Sequence, residues 1–185
     1  MAVIKLRKVS LPDGGKAELT VRNRHGEPVP ISIRSLSPGN EKMLLWALGY
    51  IKSHYNPEKF DVPVETILRV ASAVGFLQTD SPDIYAYGGR QNDDPKGGLV
   101  VIFNRNHLKP ANAAGKRELV VSVLHELIHL LEGDKPNDKS AATEYEARLD
   151  IQCYIAMGFD VPVDHWGWAR LGIDARKELE EQKSK

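Results

Sequence analysis

A single cysteine, Cys153, in 185 residues excludes an internal disulfide framework. It reads as a small buried hydrophobe on a helix. Neither sign of charge is in excess, with 25 Lys and Arg against 25 Asp and Glu. That balance gives no reason to expect nucleic acid or an anionic membrane as partner. Basic residues do gather early (Lys5, Arg7, Lys8, Lys16, Arg22 and Arg24), but on alternating strands they read as a solvated sheet face. No apolar run is long enough to span a bilayer. The start, Met1-Ala2-Val3-Ile4-Lys5, has no apolar h-region. A cytoplasmic protein without membrane association is expected. There is no internal repeat, no low-complexity tract and no helix-turn-helix. The polar stretch from Gly88 to Gly98 is bounded by glycines but lacks the G-K-[ST] ending and the following helix of a phosphate loop. It reads as a loop at the rim of a cleft.

What the chain does have is His125-Glu126-Leu127-Ile128-His129, an H-E-x-x-H. Stepped at about 100° per residue, Glu118, Ser122, His125, Glu126, His129 and Glu132 fall within an arc of roughly 120°. Leu119, Val120, Val121, Val123, Leu124, Leu127, Ile128, Leu130 and Leu131 fill the rest of the circle. The pattern predicts a nearly buried helix from Arg117 to Glu132 with one polar seam, stopped by Gly133 at the C′ position. Histidines at i and i+4 lie one turn apart on one face, so both imidazoles reach a single metal ion. The glutamate beside the first histidine is placed to take a proton from water on that metal. Acidic groups on a buried helix are costly unless a cation or a cavity meets them, which favours the metal over two core histidines.

A catalytic zinc takes three protein ligands and keeps one position open. The next predicted helix, capped by Ser140 and running from about Ala141 to Met157 with Gly158 at its end, carries Glu146 and Asp150 at i and i+4. Glu146 is the expected third ligand, with Asp150 and Glu144 as alternatives. Asp150 is expected to accept the remaining ring N–H of one histidine. Glu144 points to nearly the opposite side of the helix.

H-E-L-I-H, a short loop, then E-x-x-x-D on the next helix resembles the gluzincin arrangement of zinc metallopeptidases. Gly98-Leu99-Val100-Val101-Ile102-Phe103-Asn104, then Leu108, then Arg117 to His129, is similar to the ImmA/IrrE family of small cytoplasmic metallopeptidases. The resemblance covers roughly residues 98–157. It implies Zn2+ as cofactor, a zincin-like fold and a peptide or protein substrate. It also implies a Tyr, His or Arg outside the H-E-x-x-H helix that stabilises the oxyanion. His165 is the leading candidate; Tyr154, Tyr145, His107, Tyr85 and Tyr87 are the others. Leu99–Phe103 is either the edge strand on which such enzymes bind extended substrate or an ordinary core strand.

The expected architecture is α+β and zincin-like. A small mixed or antiparallel sheet packs on the H-E-x-x-H helix and the Glu-bearing helix that follows, with β-hairpins at the N-terminal side. Residues 1–36 alternate as strands, with turns at Asp13-Gly14-Gly15 and His25-Gly26-Glu27. Residues 37–173 form the zincin-like domain and begin with two helical stripes. One is Met43, Leu44, Ala47, Leu48 and Ile51; the other is Val64, Ile67, Leu68, Ala71 and Val74. Residues 174–185 are a charged helical tail. The expected activity is peptide-bond hydrolysis with Glu126 as general base. The alternative is a non-hydrolytic binding or regulatory module that keeps zinc for structure. A di-iron bundle needs two Glu-x-x-His pairs, and Glu126-Leu127-Ile128-His129 is the only one.

Overall fold

The structure, a computed structural model, describes residues 4–11, 15–22, 27–90, 98–133 and 139–184. Five strands make one mixed sheet: β1 (Lys16–Arg22), β2 (Pro28–Ser35), β3 (Gly75–Thr79), β4 (Ala86–Arg90) and β5 (Leu99–Asn104). Six helices accompany them among the described residues: α1 (Pro38–His54), α2 (Val64–Ala73), α3 (Ala113–Glu132), α4 (Lys139–Ala156), α5 (Trp166–Leu171) and α6 (Ala175–Lys183). The architecture is therefore mixed α+β. No helix among the described residues is long and apolar enough to cross a membrane.

The strand order is β1-β2-β3-β5-β4, antiparallel except for β3 against β5. β5 is the spine of the molecule. Its sequence, Leu-Val-Val-Ile-Phe-Asn, is an unbroken apolar run because both of its faces are covered. Val101 and Phe103 enter the larger core under the helices, while Val100 and Ile102 enter a smaller one on the other side with Leu19, Val21, Ile31 and Ile33. This corrects the edge-strand expectation for Leu99–Phe103: β5 lies between β3 and β4, and the edge belongs to β4. The sequence of β4, Ala-Tyr-Gly-Gly-Arg, hides it, since two glycines weaken any strand signal.

The two helical stripes hold: Leu44, Ala47, Leu48 and Ile51 of α1 and Ile67 and Ala71 of α2 are buried. α1 is capped by the Ser37 hydroxyl, which accepts from the Asn40 N–H. α3 packs against α1, α2, α4 and β4, which places the histidine helix at the centre of the larger core. β1 and β2 form a hairpin that joins the common sheet through Ile33 opposite Thr79. Asp13, Gly14, His25 and Gly26 of the expected turns lie outside the described residues, as do residues 91–97 of the rim loop. α4 is described from Lys139, and the side chain of Ser140, the expected cap, lies outside what the structure describes. The charged tail forms α6, capped by Asp174, whose carboxylate accepts from the Arg176 and Lys177 N–H groups.

One buried polar atom stands out. Nε2 of His107 is buried and has no hydrogen-bond partner among the described residues. Burial lowers the pKa of this ring from 6.5 to about 4, because the charged form would be poorly solvated there. The unfolded chain therefore takes up this proton first as the pH falls, and stability drops through that window by on the order of 3 kcal/mol. Urea unfolding of wild type and His107→Phe is expected to diverge between about pH 6.5 and 4, with wild type losing more stability. Parallel pH profiles would contradict a buried neutral imidazole.

Candidate metal centre

α3 enters with the Asn112 side chain accepting the Gly115 N–H at 2.9 Å. It ends at Gly133, whose φ of +83° suits a residue without a side chain and whose N–H returns to the His129 carbonyl. Between these caps nearly everything is buried, including the polar seam. His125 is 9% exposed, Glu126 8% and His129 8%. A buried polar seam has to be answered from a neighbouring element, and α4 answers it. Of Glu146 and Asp150, one turn apart, Glu146 faces both histidines and Asp150 faces His125.

The geometry is specific to individual atoms. Glu146 bridges the imidazoles, with Oε2 at 2.8 Å from Nε2 of His125 and Oε1 at 2.8 Å from Nε2 of His129. Asp150 Oδ1 lies 3.1 Å from Nδ1 of His125, and its Oδ2 lies 2.8 Å from Nε2 of His165. One ligand atom each from His125, His129 and Glu146 falls within 4.8 Å of the others. Two imidazole nitrogens and a carboxylate oxygen on one point are a donor set that holds a divalent metal ion. The residues present therefore fit such an ion. Glu144, the sequence alternative, is exposed and outside the group. Asp150 stands beyond the three, in the position of a carboxylate that fixes a histidine tautomer.

Asp150 only accepts, so Nδ1 of His125 carries a hydrogen; the contact of its Nε2 with a carboxylate calls for a second. Burial pulls the pKa of His125 down, but hydrogen bonds to Asp150 and Glu146 and the nearby charge of Glu126 outweigh it and raise it. Glu146 and Asp150 feel the converse. Burial raises them, and their histidine partners bring both well below the usual carboxylate range. A metal ion at Nε2 would displace a proton while leaving the Nδ1–H to Asp150 intact.

Beside this group opens a cleft of about 410 Å³, whose lining includes Tyr85, Glu118, Glu126, Tyr154, His165 and Trp166. Edge strand β4 contributes Ala86 to its lining. An added Cβ on Gly88 would stand 2.8 Å from Glu126 Oε2, so the glycine makes room for that carboxylate.

The six residues expected to supply a donor are placed very differently. His165 is in the cleft, but both ring nitrogens are engaged: Nδ1 accepts the Gly167 N–H at 3.1 Å, which puts the proton on Nε2, facing Asp150. Tyr145 donates to Glu132, and Tyr85 donates to Glu118 at 3.3 Å. His107 is buried beneath the Tyr85 ring, and Tyr87 packs on the far core. Tyr154, at i+4 from Asp150, is 5% exposed and lines the cleft, and its hydroxyl has no hydrogen-bond partner among the described residues. Gly88 and Trp166 were not singled out from sequence. A Gly-Gly pair reads as a turn, and nothing in the local pattern around Trp166 points at the histidines.

Zinc titrated into metal-free protein is expected to bind at close to one ion per chain and to release about one proton near pH 7.5. Calorimetry in buffers of different ionisation enthalpy measures the release. Because protonated His125 competes with the ion, affinity rises with pH until the raised pKa of that ring is passed. His125→Ala and His129→Ala abolish tight binding, Glu146→Ala weakens it strongly, and Glu144→Ala leaves it unchanged. Full occupancy in either histidine variant would place the metal elsewhere.

Comparisons of the chain with protein-family models, with curated proteins and with solved structures found no match, so the chemistry of this centre is read from its own residues.

Proposed function

We propose that this chain is a zinc-dependent metallopeptidase of gluzincin type on a zincin-like fold, acting on a peptide or protein substrate. The observation that carries the proposal is the convergence of His125, His129 and Glu146 beside an open cleft, with a further carboxylate, Glu126, lining that cleft. The N,N,O donor set favours zinc among the common ions. Bound there, zinc supplies Lewis acidity that lets water ionise near neutral pH.

The chain's own residues do the rest. Glu126 takes one proton from the attacking water as its oxygen bonds to the carbonyl carbon. Glu126 then returns that proton to the amide nitrogen as the C–N bond breaks. Gly88 leaves the space in which the carboxylate stands. The Tyr154 hydroxyl donates to the carbonyl oxygen as charge gathers on it, a role for which its free O–H suits it better than the fully engaged ring of His165. His165 acts on Asp150 instead, and Asp150 holds the His125 tautomer that presents Nε2. A purely structural zinc on a binding module calls for neither the open cleft nor the extra carboxylate, which weighs against that alternative.

Hydrolysis of an unfolded protein substrate is expected to fall at least about 10²-fold in Glu126→Gln, with zinc content unchanged. Tyr154→Phe is expected to lower kcat by about 10²- to 10³-fold with little change in KM. Gly88→Ala displaces only the flexible end of Glu126, so it lowers kcat while zinc content and Tm stay near wild type. Undiminished activity in Glu126→Gln would rule out the mechanism.

A further inference from the structure

The cleft is more than room for water. Along α3, Glu118 lies seven residues before His125, about 10 Å at the helical rise. It lines the same cleft as His125. Its Oε2 is held by the Tyr85 hydroxyl at 3.3 Å. Two aromatic rings stand exposed at the rim: Tyr85 is 53% exposed and Trp166 48%. Both are braced, Tyr85 on the His107 ring at a centroid distance of 3.8 Å and Trp166 on the His165 ring at 5.8 Å. Large, fixed, exposed aromatic faces beside a carboxylate are the surroundings in which a cation is stabilised.

Carboxylates predominate in the cleft lining, beside the rings of His125 and His165. Glu118, Glu126 and Asp150 line it, and no Lys or Arg does so among the described residues. Tyr154 senses this field. Its pKa is pushed up to about 12, by burial first and then by Asp150 and Glu118, with Asp164 adding to them; Arg117 is the cation that opposes. Arg117 is not part of the lining.

We infer that this cleft selects a substrate carrying a lysine or arginine side chain beside the bond to be cut, with Glu118 taking the cation and Tyr85 and Trp166 flanking it. The inference rests on the peptidase reading for the word substrate, but the subsite itself is a matter of binding. With the peptide backbone at the metal ligands, a long basic side chain covers the interval to Glu118. A short acid in the same place meets Glu118 and, among the described lining residues, no Lys or Arg.

The test is a binding titration with zinc-loaded Glu126→Gln protein, which cannot consume its ligand. The probes are end-blocked alanine hexapeptides with lysine, arginine, glutamine or glutamate at one inner position, followed by tryptophan fluorescence or NMR. The lysine and arginine peptides are expected to bind about tenfold or more tighter than the glutamate peptide. That preference shrinks with salt, is lost in Glu118→Gln and reverses in Glu118→Lys. Equal affinity across the four peptides, or a basic preference unchanged in Glu118→Lys, overturns the assignment. Sites cut by wild-type enzyme in a peptide mixture separate the two readings. Cuts that vanish in Glu126→Gln but show no basic enrichment sink the subsite alone. An absence of such cuts sinks the peptidase reading and leaves the titration to decide the subsite.

Discussion

One carboxylate, Glu146, joins the two histidines of α3 to α4, and the rest of the site is arranged around that junction. α3 is buried on nearly every side, so two imidazoles and the Glu126 carboxylate sit where polar groups are costly. The imidazoles are tolerated because α4 presents acceptors at matching positions one turn apart, Glu146 to both Nε2 atoms and Asp150 to Nδ1 of His125. Removing one partner would leave the others buried without a counterpart, which is far more costly than never having made the pair. The same geometry serves two chemistries. A proton between nitrogen and carboxylate and a metal ion would draw on the same aligned atoms.

Around that junction the fold supplies walls rather than ligands. β4 is the sheet edge, and its Gly88 lets a backbone approach the Glu126 carboxylate as no other residue would. The segment after α4 brings His165 back to Asp150, so three elements distant in sequence are locked to one aspartate. His165 is thereby a brace, with one ring nitrogen tied to Asp150 and the other to the Gly167 N–H. The cleft between α3, β4 and this segment carries acidic and aromatic groups together with the rings of His125 and His165.

How much of this could be read from residues depended on whether the signal was local. The helix of His125 and His129, its seam and its glycine stop are periodic over a single segment, and the helix bounds differ only at the N-terminal side, where the helix begins at Ala113, four residues before the expected Arg117. Glu146 and Asp150 were legible for the same reason, since i and i+4 on one helix share a face wherever that helix goes. The strand order was not legible. β5 carries the strongest strand pattern and for that reason lies inside the sheet, whereas the true edge is a glycine-rich stretch with little pattern at all. Nor was the engagement of His165 legible. It depends on a turn that aims Nδ1 at the Gly167 N–H and on a helix that delivers Asp150 from fifteen residues away. Long-range placement of that kind leaves no periodic trace.

The central claim is that His125, His129 and Glu146 hold one metal ion. Crystals grown with zinc, measured on both sides of its absorption edge, test it directly. The account predicts one strong anomalous peak per chain, contacted by Nε2 of His125, Nε2 of His129 and a carboxylate oxygen of Glu146, with Asp150 still on Nδ1 of His125. A peak elsewhere in the chain, or one contacted by Asp150 while Glu146 turns to solvent, would contradict it.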